Sequence, residues 1–433
     1  MLFRFSICTA AVMKSSYGLV LYQIINIITM NESNQESILP AIPMAPRDPI
    51  LGITEAFRAD TNPNKTNLGV GIYYDDNGKV PLLKCVQEAE KLMAAEASPH
   101  TYLPIDGIAA YDSAVQKLVF GEDSSAVKEK RISTVQALGG TGALKIGADF
   151  LRHFSPDSEV WISDPSWQNH FALFEYAGFK INKYPYYDDA KHGVNFTGMI
   201  STLKSLSAGS VVLLHACCHN PTGADLTDDQ WTEVIEVVKK NRLIPFLDMA
   251  YQGFSKGIAE DGKVVRRFAE EYSPVLVSNS FSKSFSLYGE RVGAFSLVAS
   301  DAEQSACILS QLKRVIRTNY SNPPIYGAKI VGTVLSNPPL RQMWEDELAG
   351  MRDRIHVMRH LLVDKLSAKT PGQDFSFVIE QAGMFSYSGL NPEQVERLKN
   401  EFSIYIVGTG RICVAALNSH NIDYVVDAIT KVL

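Results

Sequence analysis

Three short segments concentrate the chemistry of this chain: His219-Asn220-Pro221-Thr222-Gly223, Asp248-Met249-Ala250-Tyr251-Gln252-Gly253-Phe254 and Ser280-Phe281-Ser282-Lys283. Each follows a short apolar run that reads as a strand, over 211–214, 244–247 and 275–277. In an open α/β sheet, ligands bind in the crevice beyond the carboxyl ends of the strands. The amide of Asn220, the carboxylate of Asp248, the phenol of Tyr251 and the amine of Lys283 are therefore aimed at one crevice. An aldehyde cofactor with a basic ring nitrogen and a phenolate oxygen needs those four groups. Pyridoxal 5'-phosphate is such a cofactor.

Taken one by one, the residues keep a second, structural reading. A lysine forms an imine with an aldehyde, although a lone lysine is usually a solvent residue. Here no acid lies between Pro274 and Glu290, and two serines precede Lys283 closely. Asp248 would hold a proton on a pyridine ring and make it an electron sink; its alternative is a cap or turn. Tyr251 and Asn220 can bond the ring oxygen, or be a core aromatic and an Asn-Pro turn. Gly139-Gly140-Thr141-Gly142 precedes a helical run over 143–154, and backbone amides at a helix N-terminus bind phosphate. The Walker spacing is absent. Arg291 in Gly289-Glu290-Arg291-Val292-Gly293 could complete that site as a bidentate donor. Trp167 follows a strand and could stack on a ring, or simply be buried. Arg411 follows Gly408-Thr409-Gly410 between two expected strands. Its planar fork could clamp a carboxylate, though an exposed loop arginine is the commoner case.

Other chemistries fit less well. Ser280-x-x-Lys283 matches a serine-acylase motif whose Ser-Asp-Asn and Lys-Thr-Gly companions are missing. A ligand-binding regulator built on the same site would be expected to lose Lys283, Asp248 or Arg411; all three are present. His215, Cys217, Cys218 and His219 lack the paired spacing of a zinc site, and a strand would send adjacent side chains to opposite faces. No metal is expected. The net charge of −6 argues against nucleic acid, which demands a basic excess. Six cysteines without framework spacing point to a reducing compartment, and the cytoplasm is the expected location.

The elements that must position these groups alternate. A strand over 160–163, a helix through 171–174, a strand over 181–187 and a helix over 231–240 capped by Thr227 and Gln230 give a strand–helix rhythm. That rhythm predicts an α/β fold with a mostly parallel, doubly wound sheet. After Asn337 the texture changes: a long helix over 340–365, strands over 375–379 and 384–390, a helix opened by Asn391-Pro392, strands over 404–407 and 412–415, and a closing helix over 422–432. A smaller α+β domain built from both chain ends is expected. The expected division is 30–80 as an N-terminal segment with part of the small domain, 81–349 as the large domain and 350–433 as the small one. Residues 1–29 hold Arg4 and Lys14 but no acid, and their apolar stretch is too short for a membrane helix. They are expected to lie outside the fold, with Met30 as its start. No membrane association is expected.

Together these motifs resemble the class I, fold-type I pyridoxal-phosphate aminotransferases, in the aspartate and aromatic-amino-acid subgroup, from about Asp48 to Leu433. The resemblance implies that Lys283 carries the cofactor and shuttles the substrate proton. It implies that Asp248, supported by His170, pairs with the ring nitrogen, that Asn220 and Tyr251 bond the ring oxygen and that Trp167 stacks. Gly140, Thr141, Ser280 and Arg291 would hold the phosphate, with Tyr102 reaching it from a second subunit of a homodimer. Arg411 would bind the α-carboxylate and Arg317 a distal carboxylate across the interface. Gly71 would lie on a segment that closes over substrate. Tyr73-Tyr74, 223–227, 278–283 and 411–415 are most similar to bacterial aromatic-amino-acid aminotransferases. The implied reaction moves the amine of phenylalanine, tyrosine or aspartate to 2-oxoglutarate, with aspartate-directed activity as the alternative.

Overall fold

Runs of Val, Ile, Leu and Phe too apolar to leave a solvent face must be buried on both faces of a sheet. The computed structural model, which describes residues 42–45 and 49–433, uses them so. The expectation for residues 1–29 falls outside the described residues. Seven strands form one sheet: β1 Ile132–Leu138, β2 Val160–Asp164, β3 Ile181–Pro185, β4 Val211–His215, β5 Ile244–Met249, β6 Val275–Ser280 and β7 Val292–Val298. Their order is β1-β7-β6-β5-β4-β2-β3. Neighbours are parallel except β7, which runs antiparallel to both β1 and β6. Every residue of β6 and β7 is buried.

This topology sets the functional edge. β1, β2, β4, β5 and β6 all end at the same side of the sheet. The register places His215 opposite Asp248 and Met249 opposite Asn279. Because β7 runs the other way, its beginning meets the ends of its neighbours: Val292 faces Leu138 and Gly293 faces Ser280. The antiparallel strand therefore delivers Arg291 to the edge where Lys283 and Gly139 stand. Neither β1 nor β7 has an alternating pattern that marks it as a separate strand, and sequence reasoning passed over both.

Helices cover the sheet. Helix Gly139–Phe154 packs its apolar side on the sheet, through Leu144, Ile146 and Leu151. Its glycines lie inside the helix, earlier than the expected start. Asp228–Asn241 carries the expected capping box, in which Thr227 and Gln230 satisfy each other's backbone donors. The long helix is Pro338–Lys369, capped by Asn337 with proline in its first turn.

The smaller elements differ more from expectation. Residues 375–379 are not a strand; Asp374 accepts from the Ser376 N–H at 2.8 Å and opens the short helix Phe377–Glu380. Strand Arg411–Cys413 starts at the arginine itself and turns into a 3-10 helix at Val414–Ala416. The expected strand over 384–390 is trimmed to Phe385–Tyr387, which pairs with Arg411–Cys413. The segment over 181–187 ends as a sheet strand at Pro185. Thr66–Asn67 from one end of the chain pairs with Ile404–Tyr405 from the other. Pro49–Leu433 forms one compact unit. Among the described residues, no helix is long and apolar enough to cross a membrane.

Candidate active site

The carboxyl ends of the strands converge on one cavity of about 250 Å³. Gly71, Gly140, Thr141, Trp167, Asn220, Asp248, Tyr251, Ser280, Lys283, Arg291 and Arg411 all line it. His170 stands directly behind Asp248. The expected residues thus come from seven separate stretches of chain to one place.

At the floor, Asp248 ends an apolar strand and is buried. His170 Nε2 lies 2.8 Å from its Oδ2, and His170 Nδ1 lies 3.0 Å from Ser166 Oγ. With Asp248 charged, Nε2 carries the proton and donates, and Nδ1 accepts from the serine hydroxyl. Burial alone would push the Asp248 carboxyl up. The His170 hydrogen bond and the nearby Lys283 amine bring it below its ordinary value. A buried carboxylate kept ionised is suited to hold a proton on a basic ring nitrogen.

Lys283 sits in the turn after β6, with its Nζ 4.8 Å from the Tyr251 ring centroid. Burial brings its amine down to about 8, against the upward pull of Asp248 and with a further push from Arg291 and Arg411. A neutral amine is the nucleophilic and basic form. Burial pushes the Tyr251 phenol well up, so it stays protonated and can donate a hydrogen bond.

The anion end is built on the N-terminus of helix Gly139–Phe154. A Cβ on Gly139, at φ +68°, would fall 2.6 Å from Arg291 Nη2, and one on Gly140 would meet Ser280 at 3.1 Å. Glycine leaves this cradle open to a phosphate beside the helix amides. Arg291 Nη1 donates to the Tyr288 carbonyl at 3.1 Å.

At the other end, Arg411 is not a loop arginine: it is 4% exposed. It donates to Asn220 Oδ1 at 3.1 Å and to the Gly69 carbonyl at 2.5 Å. Its Nε is buried without a partner, and so are both ring nitrogens of His215. The guanidinium lies 4.2 Å over the Phe385 ring. Burial draws His215 down to about 3, so it stays neutral. These orphaned groups, together with the glycine cradle, fit a ring cofactor bearing a phosphate and an amino-acid substrate bearing a carboxylate.

Two expected residues lie elsewhere. Arg317, in the last turn of helix Ala302–Asn319, is exposed and donates to Ser321 Oγ. Tyr102 is 93% exposed and lines an apolar groove with Pro323 and Pro324. His215, Ser282, Tyr288 and Phe385 line the cavity and were missed by sequence reasoning. His215 had a usable signal, a polar residue ending an apolar strand beside the Asp248 strand. Tyr288 and Phe385 had none.

The aminotransferase class I and II family model matches residues 63–429. The chain is 59% identical over 397 residues to an aspartate aminotransferase of Pseudomonas aeruginosa, covering 92% of this chain and all of that one. It is 50% identical to the aromatic-amino-acid aminotransferase of Escherichia coli K12, over 89% and 98% of the two chains. The crystal structure of the aromatic-amino-acid aminotransferase from Burkholderia pseudomallei, covalently bound to pyridoxal phosphate, superposes with a TM-score of 0.90. It is 59% identical, over 92% of this chain and all of that one. With the family model over most of the chain and relatives at 50% and 59% identity, this chain belongs to the class I and II aminotransferases.

Proposed function

We propose that this protein is a pyridoxal-phosphate-dependent aminotransferase that takes the amino group from phenylalanine, tyrosine or aspartate and gives it to 2-oxoglutarate. The observation that carries the reading is the buried Lys283 amine, in one cavity with the Asp248–His170 couple and the half-satisfied Arg411. When bound, the cofactor supplies an aldehyde carbon that accepts the amine and a protonated ring that draws electrons from the substrate α-carbon.

The side chains do the rest. Asp248 would hold a proton at the ring nitrogen, and the His170 hydrogen bond helps keep Asp248 ionised. Lys283, with its proton affinity near the working pH, moves a proton at the α-carbon through Nζ. Arg411 orients the α-carboxylate through its fork and free Nε, and Asn220 fixes that fork. Trp167 would stack on the ring, and Tyr251 and Asn220 would bond its oxygen. Gly140, Thr141, Ser280 and Arg291 would hold the phosphate. Gly71, packed on Phe385, covers the substrate and excludes water. The donor leaves as its 2-oxo acid before the acceptor enters, a ping-pong sequence.

We propose further that the protein works as a homodimer in the cytoplasm. Tyr102 and Arg317 stand outside their own cavity, which supports their service to the site of a second copy. The pairing of Thr66–Asn67 with Ile404–Tyr405 supports a small domain drawn from 30–80 and 350–433 beside a large domain over 81–349.

The test is a visible absorbance spectrum of the purified protein before and after phenylalanine, then aspartate. A cofactor band that collapses with both amino acids is expected. The relative rates rank the aromatic and aspartate substrates. A protein supplied with pyridoxal phosphate that shows no band would overturn the assignment.

A further inference from the structure

Past the end of β4 the chain bends through Ala216-Cys217-Cys218. On a continuing strand the two thiols would point to opposite faces. Cys218 instead takes a φ of +53°, and this left-handed residue brings both sulfurs to one side. The Sγ atoms of Cys217 and Cys218 and a carboxylate oxygen of Asp261 lie within 4.8 Å of one another. A tetrahedral ion with metal–sulfur bonds of ~2.3 Å sets its ligands ~3.8 Å apart, a distance small side-chain rotations can reach.

We propose that Cys217, Cys218 and Asp261 form a binding site for one soft, thiophilic divalent cation, separate from the cofactor cavity, and that its occupation is felt at Asn220. Asp261 is already fixed in place. Its Oδ2 accepts from the N–H groups of Gly253 and Ser255 at 2.8 and 3.0 Å, and its Oδ1 from that of Lys256 at 2.9 Å. The N–H of Gly257 also acts on this carboxylate, so an ion would share an oxygen with one of these donors. Cys217, Ser255 and Asp261 line a second cavity of about 740 Å³, which gives an ion entry and leaves room for a water as the remaining ligand. The thiols are free.

Loading breaks two S–H bonds, forms two metal–sulfur bonds and releases two protons to solvent. A doubly charged ion replaces two protons, so the buried site gains no uncompensated charge. The thiol of Cys218 donates to the Tyr251 carbonyl at 3.7 Å, a bond that is lost with its proton. The N–H groups of Cys218 and His219 both bind the Asp225 carboxylate, at 2.7 and 2.8 Å, so the bend and the turn carrying Asn220 move as one body. Thiolate coordination therefore pulls on the residue that fixes Arg411.

The test uses the holoenzyme carrying Cys8→Ser and Cys307→Ser, which removes the thiol outside the described residues and the one exposed among them. It is titrated with cadmium chloride while the ultraviolet sulfur-to-cadmium charge-transfer band is followed. The band is expected to saturate at a single ion per chain and to vanish in Cys217→Ser and Cys217→Ala, both of which keep basal transamination. Saturation should lower turnover about tenfold, with recovery on adding a chelator. No saturable band, or a band unchanged by either Cys217 variant, would overturn the site. A saturated protein with unaltered turnover would overturn its coupling to Asn220.

Discussion

His170 bridges two polar groups in a buried place: its Nε2 lies 2.8 Å from Asp248 Oδ2 and its Nδ1 3.0 Å from Ser166 Oγ. The ring is fully buried, so neither bond can be replaced by water without a rearrangement. It edges against Trp167 at 5.2 Å between centroids, which ties the Asp248 support to the residue proposed to stack on the cofactor.

Removing that bridge tests the electron-sink role of Asp248. His170→Ala should raise the Asp248 proton affinity and lower kcat/KM by about 1.5–3 kcal/mol, roughly 10- to 100-fold. Steady-state transamination rates across pH read it. An unchanged rate and pH profile would show that Asp248 needs no help to stay ionised.

The Lys283 amine gives a pH dependence of stability in the cofactor-free protein. Its proton affinity falls to about 8 on folding, below the ordinary lysine value. Between that pH and the ordinary value, the unfolded chain binds more protons than the folded one. Stability from this group therefore rises with pH through that window and is lost below it. Urea unfolding at several pH values should show this rise in wild type and lack it in Lys283→Met. Parallel curves for the two proteins would refute the buried-amine assignment.

Lys283→Ala tests the same residue in catalysis. Turnover should be abolished while the fold, followed by circular dichroism, is retained. Activity of the wild-type order would remove Lys283 from the mechanism.

Arg317 should sort substrates. Arg317→Ala is expected to lower kcat/KM for aspartate by about 100-fold, the loss of a charge-assisted bidentate contact, and to leave phenylalanine within a few-fold. Equal losses for both amino acids would show that this exposed arginine does not choose between them.

Gly71 should resist a methyl group. A Cβ there would lie 2.6 Å from Phe385 Cζ, and the Phe385 ring carries the Arg411 guanidinium. Gly71→Ala should lower kcat/KM about tenfold through misplacement of the carboxylate fork. Gly408→Ala, whose Cβ meets nothing within 4 Å, is the matched control and should be silent in the same assay.

The sequence by itself marked Asn220, Asp248, Tyr251 and Lys283 as candidates, because each sits at or just past an apolar run, and the ends of parallel strands face one crevice. Local signals were equally legible: Thr227 with Gln230 caps a helix, and Asn391 with Gln394 another, because such bonds close within one turn. Only the tertiary structure decided the rest. Which strand runs antiparallel depends on pairing between distant segments, and the reversal of β7 is what carries Arg291 to the cofactor edge. Arg411 is buried by a partner 191 residues away and a carbonyl 342 residues away, contacts that no spacing encodes. The left-handed turn at Cys218, which joins two thiols that strand alternation would separate, follows from the packing of the bend rather than from its own residue type.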